Sequence, residues 1–151
     1  MNITDIQTNV ITIPLHTEFK TALRTVSSID NVLVTILTDS ELVGFGSGAP
    51  ATVITGETVS SILGAIEVIQ ANITGMEIEN HEAIFQRLNK CIVGNMSAKA
   101  AVDMAVYDLV AKSLHTPLYK LLGGLAKVIE TDITISLDDT ETMVKESQDK
   151  V

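Results

Sequence analysis

Apolar and polar residues alternate along the first part of the chain in the way that β-strands require. Residues 3–14 alternate until Pro14, which is expected to end the strand. Residues 31–38 are apolar on both faces, a pattern typical of a central strand that is covered on both sides. After a polar turn, residues 42–45 return as a third strand. The pattern therefore predicts a short antiparallel meander of three strands.

Two connections stand out beside these strands. Residues 16–25 are polar and too many for a tight hairpin, and connections of that length are usually binding loops or disordered. Residues 44–50 are rich in glycine, but they contain neither the G-x-G-x-x-G nor the G-x-x-x-x-G-K pattern of phosphate-binding loops. We therefore expect a tight backbone path at the end of a strand here, and not a phosphate cradle.

Three segments with helical periodicity follow the strands. The first spans residues 58–73, and Asn80 is positioned to cap the second. The third begins at Ala98 and contains so much alanine that another backbone can approach it closely, and Pro117 prevents it from continuing. Strands followed by helices predict an α+β domain in which the helices pack on one face of the sheet.

The pattern changes after the glycine pair at residues 123–124. Residues 128–137 alternate again and predict a strand, while residues 138–140 offer a cap for a helix over residues 141–151. A strand followed by a helix is one βα unit. A (β/α) barrel needs eight such units and about 250 residues, so this part can only be the beginning of one.

The composition excludes several classes of protein. The chain has 151 residues and a net charge of −9, which argues against binding to nucleic acid or to anionic membranes. Cys91 is the single cysteine, so it can form no intrachain disulfide and fits a reducing compartment. The N-terminus lacks the features of a signal peptide, and no apolar run reaches the roughly 18 residues of a membrane helix. We expect a cytoplasmic protein.

The third helical segment also carries a family pattern. Residues 98–109 read A-x-x-A-V-D-M-A-x-Y-D-L, and residues 116–124 read x-P-L-x-x-L-L-G-G. This ordered pattern resembles the end of the N-terminal capping domain in the enolase superfamily, in particular its muconate-lactonising subgroup. The resemblance implies a capping domain over residues 1–124 and the incomplete start of a C-terminal (β/α) barrel domain over residues 125–151.

Two further stretches narrow the resemblance. Residues 19–25, FKTALRT, and residues 130–136, ETDITIS, are similar to the corresponding segments of dipeptide epimerases of the L-Ala-D/L-Glu epimerase type. The resemblance implies an isomerase that removes a proton α to a carboxylate and returns it on the opposite face, with Mg²⁺ as cofactor. The alternatives are a cycloisomerase, an o-succinylbenzoate synthase or an N-acylamino acid racemase of the same superfamily, or a non-catalytic interaction module that stands alone.

No residue in this stretch is assigned a catalytic or metal-binding role. In the family the catalytic lysines and the metal ligands belong to later barrel strands, so we expect the 151-residue chain by itself to be inactive. His16, His81 and His115 lie on three separate predicted elements and share no geometry. Asp132 has no carboxylate partner at the spacing of metal ligands, which favours a structural role.

The chain can instead contribute to substrate recognition. The planar guanidinium of Arg24 suits a substrate carboxylate, although an ordinary surface arginine is the alternative. The resemblance implies that the loop of Arg24 folds over the active site and that Thr134 lies against the bound dipeptide. Phe19 either covers the substrate or fills the core of its own loop. The expected partners are a dipeptide, the barrel domain and further copies of the same chain.

The sequence departs from the family at one point. Many relatives carry G-x-G-E-A in the glycine-rich connection, where this chain has no acidic residue between Gly44 and Ala49. Whether the dipeptide is acidic, hydrophobic or cationic therefore stays open from the sequence.

Overall fold

The first two strands are longer than the pattern predicts. In the computed structural model, which describes residues 1–125 and 128–150, strand β1 is Ile3–Lys20 and strand β2 is Thr25–Thr38. The prediction that Pro14 ends the first strand is wrong, and the connection is the short turn at residues 21–24. The strand order β1-β2-β3 leaves β1 at an edge of the sheet. An edge strand tolerates proline because one row of its N–H groups has no ladder partner.

The third strand takes up most of the glycine-rich connection. Strand β3 is Val43–Gly48, and it pairs antiparallel with β2 from Val32 opposite Gly48 to Leu37 opposite Val43. The predicted meander is therefore confirmed, whereas the glycine-rich loop is in fact a strand. In the inner half of β2 the side chains of Val32, Val34 and Ile36 are fully buried, and those of the opposite face are only half-buried. The prediction that this strand lies centrally in its sheet is confirmed by the order β1-β2-β3, but only one of its faces is fully covered, because the helices pack on that face.

The three predicted helices are present at nearly the predicted positions. They are α1 at Val59–Ile73, α2 at His81–Cys91 and α3 at Met96–Ser113. Thr58 caps α1: the backbone N–H of Ser61 donates to Oγ1 of Thr58 at 3.1 Å, and the Ser61 hydroxyl accepts from the Thr58 N–H at 2.9 Å. Asn80 precedes α2 but makes no side-chain capping bond.

The core lies between the buried face of the sheet and the helices. It is built from aliphatic side chains, most of them isoleucine, valine and alanine. Its largest fully buried members are Ile3, Ile36, Ile62, Ile66, Ile69, Ile73, Ile78, Ile84, Leu88 and Leu109. Burial of a side chain of this size stabilises the fold by about 1.5–3 kcal/mol.

Glycines on β3 meet alanines on α3. A Cβ atom at Gly46 would overlap the carbonyl oxygen of Ala101 and lie 2.9 Å from the amide nitrogen of Ala105. A Cβ atom at Gly48 would lie 2.8 Å from the carbonyl oxygen of Ser97. Real Cβ atoms do not approach backbone atoms this closely. The glycines are therefore required by the contact with α3, and the predicted close approach to the alanine-rich helix is confirmed.

Polar contacts join the same strand and helix at their other ends. The ammonium of Lys112 lies 2.7 Å from the carboxylate of Asp108, one helical turn before it on α3. The same ammonium donates to the carbonyl oxygen of Val43 at 2.6 Å and lies 4.7 Å from the ring centroid of Phe45. The backbone N–H of Phe45 donates to Asp108 at 2.9 Å. This pair therefore attaches α3 to the start of β3.

Glu57 caps α3 from outside the helix. The residue at the N-cap position, Asn95, adopts a left-handed conformation with φ 52° and makes no side-chain capping bond. Instead, the backbone N–H of Ser97 donates to Oε1 of Glu57 at 3.1 Å, and the Ser97 hydroxyl donates to Oε2 at 2.5 Å. These bonds, the hydroxyl bond foremost, hold the pKa of Glu57 below its usual value.

Replacing Glu57 by alanine is expected to lower the free energy of unfolding by about 1 kcal/mol, as for other N-cap losses. The pKa of Glu57 is lower in the folded than in the unfolded state, so its contribution is complete above the usual pKa near 4.5 and is lost as the pH falls through the folded value. Thermal unfolding at several pH values checks this. The difference between wild type and variant should shrink below pH 4.5. Glu41→Ala, which removes an exposed carboxylate from a turn, is the control and should change the free energy of unfolding little.

Helix α3 ends at Ser113, before Pro117, as the sequence predicts. His115, directly after the last turn, has a left-handed φ of 50°, and Pro117 precedes the short helix α4 at Leu118–Leu121. Residues 128–139 are assigned neither strand nor helix, so the predicted strand over 128–137 is not formed. A strand is defined by its ladder, and in the described segment the bond from the Leu137 N–H to the Lys20 carbonyl is the one inter-segment backbone bond.

A fifth helix, α5 at Thr140–Lys150, confirms the helix predicted after residues 138–140. Asp139 caps it, because its carboxylate accepts from the backbone N–H of Thr142 at 3.0 Å and from the Thr142 hydroxyl at 2.8 Å. The last residue of the predicted helix, Val151, lies outside the described residues. Across the described parts of the chain, none of the helices combines the length and the apolar character that crossing a membrane requires.

The described residues form two compact units. One unit comprises Met1–Ile11 with Asp30–Leu125, and it holds strand β3, the inner parts of β1 and β2, the core and helices α1 to α4. The other comprises Thr12–Ile29 with residues 128–150. The second unit therefore joins the outer halves of β1 and β2, which we call the arm, to residues 128–139 and α5.

Candidate functional site

The arm ends in a turn that closes on itself. The backbone N–H of Thr21 donates to the carbonyl oxygen of Arg24 at 2.9 Å. The hydroxyl of Thr21 accepts from the N–H of Leu23 at 3.3 Å and from the N–H of Arg24 at 3.2 Å. Such hydroxyl–backbone bonds are how threonine stabilises a tight turn. These bonds therefore fix the backbone of Arg24. They also close the connection between β1 and β2 within four residues, so no long loop is formed.

The guanidinium of Arg24 is exposed at this turn and makes no hydrogen bond or ion pair with any residue that the structure describes. Phe19 lies half-buried on β1 just before the turn, and Leu23 at the tip is 85% exposed. The arm thus presents one unpaired cation beside apolar side chains. This combination suits a ligand that carries both a carboxylate and an apolar part.

Residues 18–20 of the arm contact residues 136–138. The backbone N–H of Lys20 donates to the hydroxyl of Ser136 at 2.8 Å, and the N–H of Leu137 donates to the carbonyl oxygen of Lys20 at 2.9 Å. The Ser136 hydroxyl also donates to the carbonyl oxygen of Glu18 at 3.4 Å. The ammonium of Lys20 lies 2.9 Å from Oδ2 of Asp138. We call these contacts the clasp.

The clasp changes the electrostatics of its two charged groups. The hydrogen bond that the Lys20 ammonium donates to Asp138 raises the pKa of Lys20, and the same bond lowers the pKa of Asp138. Both shifts favour the charged forms, so the ion pair persists through the neutral range. Because Lys20 is paired, Arg24 is the cation of the arm that is available to a ligand.

The structure brings the three predicted recognition residues into one compact unit. Phe19 lies between the two arm residues that bind Ser136, and the exposed Thr134 precedes Ser136 by two residues. Arg24 is the last residue of the turn. Whether these residues contact a dipeptide stays a prediction. Reasoning from the sequence missed the clasp, because its partners are 116 to 118 residues apart and no local pattern signals them.

The described residues contain no group of three or more histidine, cysteine, aspartate or glutamate side chains that could hold a metal ion. This part of the chain therefore does not fit the Mg²⁺ that the resemblance implies, and we derive no chemical step through it. His81 instead packs against aromatic rings, with ring centroids 5.9 Å from Phe85 and 6.1 Å from Tyr107. Burial raises the pKa of Asp103 on α3, but its carboxylate has no ligating partner in the described part.

A three-stranded antiparallel meander followed by helices that pack on one face of the sheet is the architecture of an α+β capping domain. Comparisons with known proteins agree. The family model for the N-terminal domain of mandelate racemase / muconate lactonizing enzyme matches residues 4–123. The chain therefore belongs to this family, which is part of the enolase superfamily.

The proteins that the chain resembles include dipeptide epimerases. An L-Ala-D/L-Glu epimerase from Clostridium acetobutylicum is 51% identical over all of this chain and 42% of its own length. The substrate-liganded structure of the L-Ala-D/L-Glu epimerase from Bacillus subtilis matches with a TM-score of 0.93 and 43% identity, over 99% of this chain and 42% of that one.

A third similar structure contains an apolar dipeptide. The dipeptide epimerase from Enterococcus faecalis in complex with Mg and L-Leu-L-Tyr has a TM-score of 0.93 and 37% identity, over 99% of this chain and 42% of that one. The chain thus spans about two fifths of the length of the relatives that it matches.

Proposed function

We propose that this chain is the N-terminal part of a dipeptide epimerase and that it supplies substrate recognition. Residues 1–124 are the capping domain of the proposed enzyme, and residues 125–151 begin its barrel. The enzyme inverts the carbon next to the substrate carboxylate by removing its proton and returning a proton on the other face. The relatives support this reaction class, since two that are 51% and 43% identical to the chain are L-Ala-D/L-Glu epimerases.

The observation that carries the recognition role is the unpaired guanidinium of Arg24 on a closed turn. A fork of N–H donors that no other residue occupies can bind a carboxylate bidentately, and a backbone that is already fixed spares the cost of ordering the turn. We therefore propose that the substrate has an acidic residue at the inverted position, as in L-Ala-D/L-Glu. The 51% identity to an enzyme of that name supports the acidic class over the hydrophobic one.

The chemistry itself is assigned to the rest of the proposed enzyme. A proton beside a carboxylate is weakly acidic, so its removal requires a positioned base and stabilisation of the developing negative charge. Relatives have been crystallised with Mg, and we propose Mg²⁺ as the cofactor of the intact enzyme. The role of this chain is to bind and orient the dipeptide and to exclude water from the active site of the proposed enzyme.

Incubation of L-Ala-L-Glu in D₂O tests the proposal. With Mg²⁺ and the intact enzyme, we expect the glutamate α-proton signal to disappear from the NMR spectrum and L-Ala-D-Glu to form. The 151-residue chain alone should exchange no faster than a control with metal and no protein. A lack of exchange by the intact enzyme with acidic, apolar and basic dipeptides alike would contradict the proposal, and so would exchange catalysed by the chain alone.

A further inference from the structure

The clasp joins two parts of the chain that are far apart in sequence. Lys20 uses its backbone N–H, its carbonyl oxygen and its ammonium, each with a different partner among Ser136, Leu137 and Asp138. Three contacts to one residue determine its position and its orientation, whereas a single exposed ion pair determines neither. The clasp therefore fixes residues 18–20 against residues 136–138, which an isolated surface salt bridge would not do. We call this fixed contact the joint.

The joint lies directly beside the proposed recognition residues. Phe19 precedes Lys20, and the turn to Arg24 follows it and is closed by Thr21. Because this turn has its own internal bonds, it moves as one piece with Lys20. Fixing Lys20 against Ser136 therefore also fixes Phe19 and Arg24 relative to the segment that carries Thr134.

The clasp also decides which cation is free. Without Asp138, the ammonium of Lys20 would be a second unpaired cation four residues from Arg24. It would compete for the same carboxylate, in a geometry that lacks the bidentate fork. Pairing Lys20 removes this competition and leaves the turn with one carboxylate-binding group.

We propose that Lys20, Ser136 and Asp138 are positioning residues that hold the arm over the substrate and set the place of Arg24. This inference rests on the proposed function. These residues touch neither the substrate nor the reacting atoms. Their loss changes the population of enzyme whose arm is in place, so it affects binding of the dipeptide more than the chemical step.

The test uses Asp138→Asn and Ser136→Ala in the intact enzyme. Two amides report the clasp directly, since the N–H of Lys20 donates to Ser136 and the N–H of Leu137 donates to Lys20. Hydrogen–deuterium exchange at both amides should become at least about threefold faster in either variant. For L-Ala-L-Glu, KM should rise about two- to fivefold in Asp138→Asn, with kcat within twofold, because the pair is exposed. The rise in KM should be larger in the double variant than in either single variant.

Two further variants separate positioning from general stability. Asp139→Asn removes the neighbouring carboxylate, which caps α5, and should leave KM and the two reporter amides unchanged. The charge-reversed pair Lys20→Asp with Asp138→Lys should recover at least half of the loss in KM. Unchanged exchange at both amides in Asp138→Asn and Ser136→Ala would overturn the proposal, and so would equal effects of Asp138→Asn and Asp139→Asn. Hydrogen–deuterium exchange at the two amides can be measured even if the enzyme epimerises no dipeptide. The proposal about the clasp and the proposed function can therefore fail independently of each other.

Discussion

Replacing Gly46 by alanine is expected to lower the free energy of unfolding by about 3 kcal/mol, at the upper end of the usual cost of overpacking. The new Cβ atom would overlap the carbonyl oxygen of Ala101, and backbone cannot move aside as a flexible side chain can. Strand β3 must therefore retreat from α3 and open the core between them. Thermal unfolding should show a melting temperature that is lower by roughly 10 °C.

The chain contains a matched control at Gly64. This glycine lies in the middle of α1, is exposed, and has nothing within 4 Å of a Cβ atom placed on it. The same substitution there should raise the free energy of unfolding by about 0.5–1 kcal/mol, because alanine restricts the unfolded chain and favours the helix. Opposite signs are thus expected from one chemical change. A melting temperature of Gly46→Ala within 2–3 °C of wild type would show that the contact between β3 and α3 is looser than described.

The contact between β3 and α3 also shows how much of the fold could be predicted from the sequence. The alanine spacing on α3 correctly predicted that another backbone approaches it. Glycine is the usual residue of turns, so the glycines of β3 were interpreted as a connection. They occur at every second position, which places them on one face of a strand. That period of two was the available signal.

Other differences have no local signal. Pro14 lies within β1 because this strand is at the edge of the sheet, and a strand's place in the sheet is a property of the whole fold. Glu57 caps α3 from 40 residues away, and the clasp spans 116 residues or more. The alternation over residues 128–137 predicts a strand, but a pattern on one segment cannot supply the partner that a ladder needs.

The candidate site was predicted more by resemblance than by pattern. Arg24, Phe19 and Thr134 carry no spacing that marks them as a site, and the structure adds that they belong to one compact unit with the clasp. A cation on a loop is usually a solvated residue. What distinguishes Arg24 is its setting: its backbone is held by Thr21, and the neighbouring Lys20 is already paired.

Replacing Arg24 by alanine in the intact enzyme is expected to lower kcat/KM for L-Ala-L-Glu about ten- to a hundredfold. A charge-assisted hydrogen bond contributes about 1.5–3 kcal/mol, and each 1.4 kcal/mol is a factor of ten. Arg24→Lys should recover little, because an ammonium cannot reproduce the two-point contact of a guanidinium. The loss should depend on the dipeptide, being large for acidic substrates and within about threefold for L-Leu-L-Tyr, since an apolar side chain offers Arg24 no carboxylate beyond the one common to all dipeptides.

The measurement is kcat/KM for wild type and the two variants over acidic, apolar and basic dipeptides, together with the melting temperature. Arg87→Ala is the matched control. Arg87 is exposed on α2, so this substitution removes the same charge at a site away from the arm. It should change neither quantity appreciably, since exposed substitutions usually stay within about 0.5 kcal/mol. The exposed guanidinium of Arg24 makes no bond within the described structure, so Arg24→Ala should also leave the melting temperature in place. An equal loss of kcat/KM for every dipeptide, or a lower melting temperature than that of Arg87→Ala, would show that Arg24 stabilises the arm and does not select the substrate.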